Sequence, residues 1–404
     1  MDPLVTDGSL LARESELYFE RGGPVYRLMQ RIGLVVGEGP SLLRRSMGML
    51  FLTWLPLFIL SVIDGRALGG SPRQAFLLDF ASYARFFITI PLLFYAEVVI
   101  GPTLTNAAQQ FVRAGLVRTE HATEYNAAIS RAVRWRESIW AELIIGMIAI
   151  IGASAFTVEM MQGDAEQTWK SLTIQRNGIS TYSLAGFWFH FVAVPLLQFF
   201  YFRWLWRVLI WIRFLYDISR LDLGIVATHA DQAGGLLFLE RAQVSLGILF
   251  SAFSVIASAD MAFRIVFDGA KLEAFKMPIG TIVLIAEILC FAPLLLFSPL
   301  LERKKGEWTR RYSHLVIRLN RKFHETWIEG GEKGHLPPKS DIPEFSALID
   351  LGSSFRMIRE MKTVLFNTST AIRLVIPVLL PFFPLLPLVM PIEQMIHFAS
   401  KLLF

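Results

Sequence analysis

Residues 277–299 read MPIGTIVLIAEILCFAPLLLFSP. One charged residue, Glu287, lies in that run. Wound as a helix, the run is long enough to cross a hydrocarbon layer of about 30 Å. A water-soluble domain has no use for such a segment, whereas a membrane protein needs one for every crossing. Six further stretches share its character: residues 47–63, 86–100, 138–158, 183–202, 243–263 and 374–396. The second is short for a crossing and borrows 77–85 as a helical extension. The runs are continuous and do not alternate, so they read as helices and not as barrel strands. The fold class is therefore all-α: a polytopic helical integral membrane protein of about seven spans, with helical cytoplasmic extensions.

Composition agrees. Charged residues are 18% of the chain and hydrophobic residues 54%, against about 25% charged in an average soluble protein. Mean hydropathy is +0.48. Cys290 is the single cysteine, so neither a disulfide framework nor a cysteine-based metal site can be built. The first apolar run starts near Met47, without the short pattern of a cleaved signal peptide. No cofactor is expected.

The net charge of +5 is explained by loop placement, and nucleic acid is not an expected partner. Arg44 and Arg45 precede the first span. Arg113, Arg118, Arg131, Arg134 and Arg136 lie between the second and third. Arg203, Arg207, Arg213, Arg220 and Arg241 follow the fourth, and a basic run from Arg303 to Lys322 follows the sixth. All of these fall on one side if the N-terminus is cytoplasmic. The expected location is a bacterial-type inner membrane.

Four parts follow along the chain. Residues 1–46 form a cytoplasmic tail whose segment PVYRLMQRIGL (24–34) reads as an amphipathic helix. It lies either on an anionic leaflet or on the protein's own surface. Residues 47–300 form a six-span bundle with cytoplasmic helical loops at 112–137 and 203–242. In the second loop the arginines share one helical face and are placed to reach lipid phosphates. Residues 301–373 form a basic segment of two helices that pack together. Residues 374–404 hold the last span, where Pro377, Pro381, Pro384, Pro387 and Pro391 each remove a backbone donor. That segment is either a kinked crossing or a re-entrant one lining a pore or an oligomer axis.

Ionisable residues inside spans are costly and mark function or packing. Glu287 and His190 lie near the middle of their spans, and Glu97 and Glu142 nearer the cytoplasmic ends. They are the candidates for a polar transport path, or for interhelical bonds that fix packing. Asp260 and Arg264, one turn apart, form an expected ion pair. The string Thr228-His229-Ala230-Asp231-Gln232-Ala233-Gly234-Gly235 places Asp231 to cap the next helix. Alternatively His229, Asp231, Gly234 and Gly235 form a mouth or hinge. His324, Glu325, Glu329 and His335 lack the spacing of a metal site, and no metal is expected.

No phosphate-cradling loop, nucleophile elbow or convincing internal repeat appears. The chain reads as a non-enzyme. One function class is a channel or secondary transporter for an ion or small solute, acting as a homo-oligomer. The other is a membrane-anchored sensor or assembly protein whose cytoplasmic helices bind a protein partner.

Overall fold

In the computed structural model, residues 18, 19, 21–35, 41–69, 74–162, 168–174, 179–329 and 342–389 are described. Pro391, His335 and the far end of the last apolar run lie outside them. The elements are helices α1 (Pro24–Arg31), α2 (Leu42–Ile63), α3 (Phe80–Arg113), α4 (Ala122–Arg136) and α5 (Ile139–Gln162). A hairpin of β1 (Ser171–Ile174) and β2 (Ile179–Tyr182) follows, with Ser171 opposite Tyr182. Then come α6 (Leu184–Ser219), α7 (Phe238–Asp268), α8 (Lys276–Phe291), α9 (Ser298–Phe323), α10 (Ile342–Glu360) and α11 (Thr368–Leu388).

Six of these helical columns are long and apolar enough to cross a membrane: α2, α3, α6, α7, the column α8–α9, and α11. The pair α4–α5, bent by 47° at a short break, makes a seventh if it is counted as one span. The protein is a polytopic all-α membrane protein, to which the structure adds the small hairpin. Its outer surface is apolar, as lipid contact requires: Trp140, Ile151, Met277 and Leu284 are all exposed. The two ends of the bundle differ. The arginine-rich loops gather at one, called here the basic end. The hairpin lies at the other.

The described part of the last column, through Leu388, runs from the basic end to the hairpin end. Leu374 and Pro377 lie against Gly247 at the basic end of α7. Phe382 and Leu385 cluster with Met261 and Phe275 at the hairpin end. Pro377 sits inside regular helix, but residues 380–385, which hold Pro381 and Pro384, tighten into a 3-10 segment. Missing N–H groups and ring clashes disfavour ordinary α-helical bonding there.

A local likeness between two helices emerges from the backbone. Helix α3 begins with a short α-turn, widens into a π-turn at Ala84–Thr89, and resumes α-geometry with Pro91 at its start. Helix α6 repeats this, with its π-turn at Phe189–Ala193 and Pro195. Phe87-Ile88-Thr89-Ile90-Pro91-Leu92-Leu93 corresponds to Phe191-Val192-Ala193-Val194-Pro195-Leu196-Leu197. Neither Pro91 nor Pro195 can donate to the carbonyl four residues back, so each helix relaxes into a wider turn.

The basic end is welded together. Helix α4 packs Tyr125 against Phe214 of α6, and Tyr125 Oη donates to the Ala108 carbonyl at 2.8 Å. Helices α9 and α10 pack together as expected, burying Ile358 and Met361. Lys305 Nζ donates to the Met361 carbonyl at 2.6 Å. Asp222 gathers Arg118 (3.3 Å), Arg303 (3.3 Å) and Lys304 (2.9 Å). The Lys304 ammonium, first among these partners, holds the Asp222 carboxyl below its ordinary range. Asp231 acts as a cap for the turn entering α7. Its carboxylate accepts from the N–H groups of Ala233, Gly235 and Leu237 at 2.8, 3.1 and 3.2 Å. Gly234, at φ +65°, has no space for a Cβ beside Ile225.

Candidate functional site

Two clusters of charge lie within the bundle, one toward each end. The first joins Arg45 of α2, Glu97 of α3, Glu142 of α5, and Arg203 and Arg207 of α6. Glu97 accepts from Arg45 Nη1 and, at 3.0 Å, from Arg207 Nη1, and Arg203 Nη1 lies 3.6 Å away. Arg203 Nε donates to Glu142 Oε1 at 3.1 Å. All five residues are buried. Arg45 also lies over the Phe94 ring at 4.3 Å and Arg207 over Trp204 at 5.0 Å. The small gap beside Glu97, lined by Leu93, Phe200 and Trp204, has no room for water. Three guanidiniums face two carboxylates, and Arg45 Nε and Nη2 are buried with no hydrogen-bond partner among the described residues.

A strap made by the N-terminal segment closes this knot. Val25 N–H donates to Glu142 Oε2 at 2.7 Å, Gly23 N–H to Glu137 at 3.1 Å, and Arg203 Nη2 to the Gly22 carbonyl at 3.2 Å. Gly22 and Gly23 have φ of +98° and +92°. A Cβ on Gly23 would stand 2.9 Å from Glu142. Tyr26 and Met29 are buried, so α1 packs on the protein's own surface, the second of the two readings. Phe19 meets Trp211 edge-on at 5.5 Å.

The second cluster lies at the hairpin end. Arg85, in the π-turn of α3, pairs with Asp260 of α7 at 2.5 Å. The expected Asp260–Arg264 pair is replaced, because α7 turns Asp260 toward α3. Trp169 Nε1 donates to Asp79 Oδ2 at 2.9 Å, and Ser82 Oγ donates to the same oxygen at 2.8 Å. Lys170 Nζ stands 3.9 Å from that carboxylate and 4.4 Å from the Phe189 ring centre. His190, in the π-turn of α6, is buried with its ring 4.9 Å from that of Tyr182.

Between these groups lies a cavity of about 370 Å³. Arg85, His190, Gln198, Tyr201 and Asp260 line it, with Phe189 and Phe253 among the apolar walls. Arg85 Nη1 and Gln198 Oε1 are buried there with no hydrogen-bond partner among the described residues. Asp260 is 47% exposed, Arg85 only 14%. The cavity thus offers a charged pair, an amide and a phenol to a small polar guest.

The sequence candidates separate. Glu97 and Glu142 come together through Arg203, as members of a closed ion knot. His190 borders the cavity. Glu287 does not meet it; it lines a different groove, between α8 and α11. The expected Glu287–His190 path is therefore not assembled, since α8 turns its acid away from α6. Arg203 and Arg207, expected to reach lipid phosphates, are turned inward by Glu97 and Glu142. Of the proline set, Pro377, Pro381, Pro384 and Pro387 lie on α11, outside the cavity's lining. His229 and Asp231 pair at 2.8 Å within the capping loop. No group of three metal-ligating side chains gathers among the described residues.

Missed in the sequence were Arg85, Gln198, Lys170 and Trp169. The one available signal was Arg85, an arginine inside an apolar stretch.

The fold and these buried charges define a polytopic helical membrane protein with a polar cavity inside its bundle. Comparison with protein-family models, curated proteins and solved structures found no match.

Proposed function

We propose that the protein is a secondary transporter for a small polar or charged solute. The solute binds beside Arg85, His190 and Asp260. The carrying observation is the 370 Å³ cavity with two unsatisfied buried polar atoms inside a membrane bundle. A buried donor or acceptor without a partner is costly, and a guest supplying those bonds relieves that cost. Two of the helices that frame the cavity, α3 and α6, leave α-geometry there, a feature common at functional sites. Placing the basic end in the cytoplasm follows the positive-inside rule. The cavity then lies in the outer half, and the ion knot with its strap is the inner seal. Passage requires the knot to part, and its excess guanidinium provides alternative pairings for Glu97 and Glu142.

The test is current across proteoliposome membranes after rapid addition of inorganic ions, carboxylates and amino acids in turn. A saturable response that disappears in Asp260→Asn and His190→Gln, with thermal unfolding unchanged, supports the reading. Responses unaffected by both substitutions sink it.

A second reading rests on the welded basic end. Helices α4, α9 and α10 and the Asp222 hub form a rigid platform that suits an assembly or sensing partner. Co-purification of a protein that is lost when α9 and α10 carry surface substitutions would favour it.

A further inference from the structure

A second cavity, larger than the first, lies apart from the site above. It is a groove of about 780 Å³ between α8 and α11, reaching from Leu272 and Lys276 at the hairpin end to Thr368 at the basic end. Ile279, Ile376 and Phe383 are among its walls. Leu284, Ile288 and Leu380, on the same two helices, are exposed, so this side of the bundle faces lipid.

One carboxylate lines the groove. Glu287 makes no hydrogen bond or ion pair among the described residues. It lies about 16 Å along the helix from Lys276, at 1.5 Å per residue. That depth is near the middle of a hydrocarbon layer about 30 Å thick. Lys276 is the other ionisable residue of the lining. Its flexible stem carries the ammonium toward the interface, away from Glu287. A charged carboxylate at such depth is costly without a positive partner.

The candidate occupants differ in where they put positive charge. A phospholipid keeps its headgroup at the interface. Among the described residues, a second copy of this chain brings no free cation to mid-depth: Arg203 and Arg207 are buried in the knot, and Arg85 is held by Asp260. An amphiphilic organic cation with its charge inside an apolar body places both where this groove needs them. The volume lies in the range of pockets for molecules of that size, about 300–1,000 Å³. We propose that the groove binds membrane-partitioned amphiphilic cations, with Glu287 as their counter-ion. The site stands independently of the transport reading.

The probe is radiolabelled tetraphenylphosphonium on the full-length protein in lipid nanodiscs. Saturable binding is expected, at least tenfold weaker in Glu287→Gln and retained in Glu287→Asp. Filling the groove with Ile376→Trp also weakens binding. On the unmodified chain, a hydrophobic carbodiimide labels Glu287, read by peptide mass spectrometry, and tetraphenylphosphonium protects it. Equal binding in Glu287→Gln, or labelling that the cation does not slow, overturns the proposal. So does a disulfide between two copies through Ile376→Cys that forms in high yield and abolishes labelling, since a second copy then fills the groove. The assay reads the groove alone, so its outcome is separate from that of the cavity.

Discussion

The ion knot and the hairpin-end cavity are made from the same residue types with opposite results. Glu97 and Asp260 each bind arginine. Glu97 is 4% exposed, among three guanidiniums and aromatic rings with no room for water. Asp260 is 47% exposed, beside a space that holds a small molecule. Charge that is shut in becomes structure, because separating it leaves an uncompensated ion in low dielectric. Charge beside a void remains available to a guest.

The widest test of that contrast is Glu97→Gln. It leaves Arg45 and Arg207 without their carboxylate, and we expect a loss of about 3–5 kcal/mol, seen as a large fall in thermal unfolding temperature in detergent. An unchanged unfolding temperature would break the comparison outright. Next is the packing of the hairpin on α6. A Cβ on Gly186 would stand 2.0 Å from the Lys170 carbonyl oxygen. Gly186→Ala is expected to cost about 1–3 kcal/mol and to expose the hairpin to protease before the rest of the chain.

A control outside the membrane is Asp231. Burial pushes its pKa up, but the Ala233, Gly235 and Leu237 N–H groups and His229 outweigh this and hold it below the ordinary value. Its folded pKa is thus depressed. The stabilisation is present above the unfolded carboxylate value of about 3.9 and is lost as pH falls through the folded value. Asp231→Asn should cost about 1–3 kcal/mol at neutral pH, and the gap to the unmodified protein should close on acidification below about pH 4. Denaturation curves at several pH values check this.

The smallest expected change sharpens the contrast from the other side. Asp260→Asn should alter stability by no more than about 1 kcal/mol, because a half-exposed pair contributes little, while abolishing solute-induced current. If it unfolds the protein as Glu97→Gln does, the cavity is another structural knot.

The spans were legible because the bilayer imposes a rule on local sequence: each crossing satisfies its own backbone and turns apolar side chains outward. Residues 277–299 show it by themselves. The gathering of the basic loops at one end was legible from Arg113 to Lys322 for a similar reason. The site was not. Glu97 and Glu142 looked like steps of a path, because a single strand of sequence does not show that Arg203 bridges them. Asp260 looked like the partner of Arg264, since only neighbours one turn away are visible along a chain. Gln198 and Trp169 carried no signal at all.

By itself, then, the sequence determined the solvent, the helical class and the position of most apolar spans, for these depend on composition within a helix's length. Tertiary structure alone decided which buried charges neutralise one another and which border open space. Those pairings join residues on α2, α3, α5, α6 and α7, far apart in the chain, and their energies depend on distance and local dielectric, which exist only once the helices have packed.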